Sequence, residues 1–283
     1  MEDVVTGHSF EHGANGVTEA LAFSQPDLTY DPDILQVRAH DMDVFFENTP
    51  SQEFFDQLKQ WVPTLRWTIH EEEHKDWLAE WKKGFVPFQL VGPYWVVPSW
   101  ITPPPEAENP IIIDPGMAFG TGTHATTKMA AYFVHKLGQT LKTGHEYSLI
   151  DVGTGTAILA MLANMHGVQR VIGIEIDPEA RRVARENIKL NRQQEIEISD
   201  QLLEDIDEDF DFVVANIIDG VLIQLKDELL RILRPGGQIF LTGILLERED
   251  DFFAEFIEKS PLKVVRRIEK DEWVGYWLRS PEA

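Results

Sequence analysis

The feature that most constrains this chain is an alternation that begins at Ser148. Apolar runs of five to eight residues, "SLIDV", "RVIGIEI", "EIEIS", "FDFVVANI" and "QIFLTGIL", are separated by longer segments with the apolar period of a helix. A strand that is apolar on both faces has to be covered on both. The pattern therefore predicts a parallel sheet between two helical layers. The intervening helices are "TAILAMLANMHG", "PEARRVARENIKLN" and "DGVLIQLKDELLRIL", the last expected to run up to Pro235-Gly236-Gly237. A further helix, "EDDFFAEFIEK", leads into "LKVVRRIEK" and "EWVGYWLRS", which have no helix between them and so should pair antiparallel at the sheet edge. Six parallel strands and one reversed strand make an α/β, doubly wound, seven-stranded Rossmann-like sheet.

The part before this alternation is organised differently. Prolines crowd "GFVPFQLVGPYWVVPSWITPPPEAENP", where regular structure has to be short. Upstream, "DILQVRAH" and "VFFEN" read as strands, "SQEFFDQLKQW" as a helix, and "TLRWTIH", with Leu65, Trp67 and Ile69 alternating, as a strand with one buried face. Trp77 and Trp81 stand one helical turn apart in "DWLAEWKKGF", which predicts a connecting helix. The expected division is a small α+β amino-terminal domain at 1–70, a linker helix and connecting segment at 71–100, and the large α/β domain at 101–283.

Composition narrows the function classes. The chain has no cysteine, which removes disulfides, thiolate metal sites and thiol nucleophiles together. No run approaches the ~20 apolar residues of a membrane helix, and "MEDVVTGHSF" lacks the basic head and apolar run of a leader. A cytoplasmic protein with no membrane partner is expected. The net charge of −23 repels phosphate backbones and attracts basic macromolecules, so a basic protein is a better partner than nucleic acid.

Two Gly-Thr-Gly runs compete as nucleotide sites, one in "DPGMAFGTGTHATTKM" and one in "LIDVGTGTAILAML". Only the second follows a strand directly and opens a helix, the setting in which backbone N–H groups and a tight glycine turn meet a ligand. Glu175 closes the next strand, placed to accept hydrogen bonds from both ribose hydroxyls of a nucleoside. The third glycine of the dinucleotide fingerprint is replaced by Ala157, and "GTGTAIL" offers less of an anion nest. These details favour a nucleoside without phosphates. S-adenosylmethionine fits, with Asp151 near its methionine part.

Taken together, "DPGMAFGTGTHATTK", "DVGTGTAILA", "GIEIDPEARRVARENIKLN", "VVANI" and "LRPGGQIFLTGIL" resemble the bacterial ribosomal protein L-eleven methyltransferase family from about Trp77 onward. The resemblance implies a class I S-adenosylmethionine-dependent enzyme that methylates lysines, and the amino terminus, of that protein. It also implies that the first glycine loop, with Phe119, Thr121, Gly122 and Thr127, closes over the cofactor from the side opposite Gly153 and Gly155. The family's amino-terminal domain is ferredoxin-like; here it is expected to be shortened, entering partway through its first helix. A monomer is expected.

The acceptor is then an amine. Removing a proton from lysine at neutral pH costs about 4 to 5 kcal/mol, so the site has to desolvate the amine and aim its lone pair. Asn216, at the end of the fourth strand, is the candidate for that catalytic role and a cofactor contact as well; the Pro-Pro-aromatic sequence that often follows such an asparagine is replaced by Ile217 and Ile218. Another amine substrate, a small molecule or another protein, stays open. "HEEEH" at His70 to His74 matches a zinc-protease pattern, but a helix so charged has no third ligand downstream, and no metal is expected. His8 and His12 share i, i+4 spacing, which a mobile amino terminus explains without a metal.

Overall fold

A computed structural model describes residues 2–19, 23–24, 33–34, 42–70, 84–114 and 120–282. The chain divides into two compact units, Met1–Lys75 and Asp76–Ala283.

In the first unit, α1 (Glu2–Glu11) leads into β1 (Ala14–Glu19), which pairs antiparallel with β4 (Met42–Phe46); β2 (Phe23–Ser24) and β3 (Asp33–Ile34) form a separate two-residue ladder. Helix α2 (Gln52–Trp61) starts where the Ser51 hydroxyl accepts the Phe54 N–H, and its Phe54 and Leu58 are buried with Val5 and Val62. The amino terminus is not loose, as the sequence suggested: His8 is buried and its ring stacks on Phe54 at 5.1 Å, because α1 covers the apolar face of α2. Residues 65–70 are not a strand. Trp67 and Ile69 are 41% and 55% exposed, so the alternation there marks no buried face; only Leu65 packs inward, while Trp67 stacks on Phe55. The predicted connecting helix at "DWLAEWKKGF" and most of "DILQVRAH" lie outside the described residues.

The second unit begins its described part with a small sheet, β5 (Phe88–Val91), β6 (Tyr94–Val97) and β7 (Asn109–Ile112), in that order. The segment read as a connector thus supplies two strands. They are held because Leu90, Tyr94, Val96 and Ile111 are buried in the same core as the large sheet, and Pro110 sits on β7, an edge strand where its missing N–H is tolerated.

After α3 (Ala125–Gly138), the expected alternation unfolds as β8 (Ser148–Val152), α4 (Ile158–Met165), β9 (Arg170–Ile174), α5 (Pro178–Leu190), β10 (Glu197–Ser199), β11 (Phe210–Asn216), α6 (Asp219–Gln224), α7 (Lys226–Arg231), β12 (Leu233–Leu245), α8 (Glu249–Phe252) with a π turn to Ile257, β13 (Lys263–Lys270) and β14 (Trp273–Arg279). The sheet order is β10-β9-β8-β11-β12-β14-β13, with β14 antiparallel to both neighbours and the other pairs parallel. Six strands run one way and one is reversed, as the pattern predicted.

Period-two alternation sorts the core. Leu149, Val171, Phe212, Val214 and Phe240 face α3, α4 and α5, while Ile150, Ile172, Val213, Ile239 and Leu241 face α6, α7 and the Phe252–Phe256 pair of the last helix. Two boundaries differ from the sequence reading. The helix expected over 219–233 is broken at Leu225, and it ends before Leu233, so Pro235-Gly236-Gly237 lies within β12 at a register shift rather than at the helix stop. No described helix is long and apolar enough to cross a membrane.

Candidate active site

The chain leaves β8 first toward β9 and β10 and then returns to β11, on the other side of β8. A crevice opens at such a reversal, outside the carboxyl ends of the strands. The ends of β8, β9 and β11 carry Asp151 and the glycine turn, Glu175, and Asn216.

Residues 153–157 turn through left-handed backbone three times, at Gly153 (φ 73°), Gly155 (φ 54°) and Ala157 (φ 64°). The turn is fastened to β9, since the N–H groups of Gly153 and Thr154 both donate to the Ile174 carbonyl, at 2.9 and 3.0 Å. Glycine is required at 153 on two counts: its φ, and a Cβ there would stand 2.5 Å from Ile217 Cγ2. Glu175 bridges the turn and the next helix; its Oε2 accepts the Gly155 N–H and its Oε1 the Asp177 N–H, each at 3.1 Å. Asp177 in turn caps α5.

Asp151 lies beneath the turn and is 1% exposed. Its Oδ2 accepts the Thr154 hydroxyl at 2.7 Å, while Oδ1 has no hydrogen-bond partner. Burial pushes its carboxyl up to about 7; the Thr154 hydroxyl and the Ala160 backbone N–H oppose that rise and the Glu175 charge adds to it. A buried acceptor with an unused oxygen is what a cationic ligand group would complete. Ile176, which follows Glu175, is 77% exposed, and Leu202, three residues past β10, is 49% exposed; both offer apolar surface. The donor and acceptor set therefore fits a nucleoside carrying a positive charge and no phosphate. Sequence reasoning missed Ile176 and Leu202; for Ile176 the available signal was an apolar residue directly after the strand-end acid, and Leu202 carries no such signal.

Asn216 is buried at the end of β11, and its Nδ2 donates to the Thr127 Oγ1 at 3.3 Å. The two residues are 89 positions apart, and the sheet and α3 bring them together. Helix α3 is capped by His124, whose Nδ1 accepts the Thr126 N–H at 3.4 Å and lies 2.8 Å from the Thr126 hydroxyl; Thr126 and Thr127 are buried inside the helix. In the first glycine loop, Gly120 (φ 96°) and Gly122 (φ 92°) are both left-handed. Gly122 is packed against Phe88, Val96 and Ile158, with a Cβ meeting each at 3.0 to 3.1 Å, and Thr121 pairs loosely with the Thr123 hydroxyl at 3.4 Å. Phe119 lies outside the described residues. So do Glu71 to His74 of the "HEEEH" run, while His70 is exposed and bonds the Thr68 hydroxyl.

One further feature escaped the sequence reading. Gly243 (φ 95°) forms an irregularity in β12, and a Cβ there would stand 2.2 Å from the Ile217 carbonyl oxygen. Ile217 is therefore clamped between Gly153 on one side and Gly243 on the other, which fixes the backbone directly after Asn216.

The family model described as ribosomal protein L11 methyltransferase (PrmA) matches residues 2–280. The chain belongs to that family. A ribosomal protein L11 methyltransferase of Pelobacter propionicus is 35% identical over 292 residues, covering 99% of this chain and 94% of that one. Another, of Caldicellulosiruptor saccharolyticus, is 40% identical over 207 residues, 72% of this chain and 66% of the relative. Among solved structures, a ribosomal protein L11 methylase from Lactobacillus delbrueckii subsp. bulgaricus superposes with a TM-score of 0.61 at 29% identity, covering 70% of this chain and all of that one. The chain is thus a member of a methyltransferase family whose matched region includes both glycine loops, Glu175 and Asn216.

Proposed function

We propose that the protein transfers methyl groups from S-adenosylmethionine to lysine side-chain amines, and to the amino-terminal amine, of ribosomal protein L11. The observation that carries the reading is the set of three polar groups, Asp151, Glu175 and Asn216, on adjacent strand ends around one glycine turn, in a chain of this family.

Bound there, S-adenosylmethionine supplies a methyl group on a sulfonium. The residues of the chain do the rest. The Glu175 carboxylate, held by two backbone N–H groups, keeps lone pairs for the two ribose hydroxyls, and Ile176 and Leu202 flank the base. The open oxygen of Asp151 answers the ammonium of the methionine part. Thr127, accepting from the Asn216 amide nitrogen, turns the Asn216 Oδ1 outward as an acceptor for the acceptor amine. Ile217 and the exposed Ile218 surround that amine with apolar surface, which lowers its pKa and offsets part of the ~5 kcal/mol needed to free its lone pair at neutral pH. Phe119 and the first glycine loop complete the pocket in this reading. Residues 1–70 serve substrate recognition and 101–283 the chemistry, with β5 and β6 at 88–97 built into the same core as the large sheet.

The net charge of −23 supports a basic protein substrate over nucleic acid. We read the enzyme as a cytoplasmic monomer. Incubation with methyl-labelled S-adenosylmethionine and total bacterial ribosomal proteins tests the reading: label is expected in L11, on lysine and the amino terminus. Label in another protein, or none, would contradict it.

A further inference from the structure

We propose that Thr156 and Asn187 are positioning residues that join the two glycine loops, so that cofactor affinity depends on side chains that never touch the cofactor. Both are buried, at 0% and 1% exposure, and their polar side-chain atoms are bonded to neighbouring chain segments. The Thr156 hydroxyl donates to the Gly120 carbonyl at 2.7 Å, across 36 positions, and the Thr156 carbonyl accepts the Asn187 Nδ2 at 3.1 Å. The Asn187 Oδ1 accepts the Asp114 N–H at 3.4 Å. One turn further along α5, Asn191 receives the Ile112 N–H at 2.8 Å and donates to the Ile112 carbonyl at 2.7 Å. Asp114, before the first glycine loop, is thereby linked through Asn187 to Thr156, which itself holds Gly120 of that loop and directly follows Gly155.

The choice of side chains supports a positioning role. Asparagine is a poor interior helix residue, and a buried amide has to satisfy both its donor and its acceptor. Asn187 does so by linking two chain segments that meet nowhere in sequence. A leucine would fill the volume and link neither; an aspartate would keep only the acceptor side. Likewise the Thr156 hydroxyl does not cap the adjacent α4, whose cap position is Ala157 without a side-chain bond. It reaches to the other loop instead.

The inference rests on the cofactor site proposed above. The test is calorimetric titration of the full chain with S-adenosylhomocysteine, alongside thermal melts. Thr156→Val keeps the shape and removes the donor; Thr156→Ser keeps the donor. The affinity is expected to fall about tenfold in Thr156→Val and to stay within twofold of wild type in Thr156→Ser. Asn187→Leu should match Thr156→Val, with kcat at saturating cofactor changed less than threefold. Thr156→Val binding like wild type, or Thr156→Ser losing as much as Thr156→Val, would overturn the inference while leaving the site in place. Wild type failing to bind would overturn the cofactor site itself.

Discussion

Asp151 makes cofactor binding sensitive to pH. Burial pushes its carboxyl up to about 7 in the free protein. A ligand that places an ammonium and a sulfonium nearby needs the ionised form, so its affinity follows the ionised fraction. That fraction is about 3% at pH 5.5 and about 50% at pH 7.0, while the ligand's own amino group, with a pKa near 8, stays charged throughout. The dissociation constant for S-adenosylmethionine should therefore tighten by about fifteenfold over that interval, with close to one proton released per ligand bound at pH 6. The linkage sign for folding runs the other way. A carboxyl whose folded pKa is raised favours the folded chain below its unfolded pKa, and that stability, on the order of 4 kcal/mol, is lost as pH rises through about 7. Bound cofactor restores it. Titration calorimetry in two buffers of different ionisation enthalpy measures both affinity and proton release, with Asp151→Asn as control. A wild-type affinity constant within twofold from pH 5.5 to 7.0, or the same slope in Asp151→Asn, would refute the reasoning.

Glu175→Ala removes two hydrogen bonds to a charged acceptor and should weaken cofactor binding by about 2 to 4 kcal/mol, read as a dissociation constant; an unchanged constant would place the ribose elsewhere. Asn216→Ala should slow methyl transfer far more than it weakens cofactor binding, as a transfer assay and a titration together would show; equal losses in both would misassign the residue. Gly243→Ala forces a left-handed alanine whose Cβ stands 2.2 Å from the Ile217 carbonyl oxygen, so about 3 kcal/mol of stability and a lower melting temperature are expected, along with slower transfer through displacement of Asn216. A melting temperature within 1 °C of wild type, on the order of 0.5 kcal/mol at this chain length, would contradict the clamp.

What could be read in advance follows from the range over which each signal acts. The central strands β8, β9, β11 and β12 of the large sheet are largely buried on both faces, so their apolar runs are near-continuous and legible along the chain. Glu175 and Asn216 could be placed because both end such runs. "TLRWTIH" alternates just as well, yet Trp67 and Ile69 face outward, since alternation records a face and not what covers it. The strands at 88–97 were hidden by prolines, yet Pro87, Pro93 and Pro98 fall just outside them. Thr156 with Gly120, Asn187 with Asp114, and Gly243 beneath Ile217 are meetings of distant segments; no local period encodes them, and only the packed sheet brings them within bonding distance.

The most direct test of the central claim is a crystal structure of the protein with S-adenosylhomocysteine. The account predicts the ribose hydroxyls within hydrogen-bond distance of Glu175, the methionine part over Gly153 to Gly155 with its ammonium toward Asp151, and the sulfur facing Asn216. Ligand density on any other part of the sheet, or a ribose that does not reach Glu175, would contradict it.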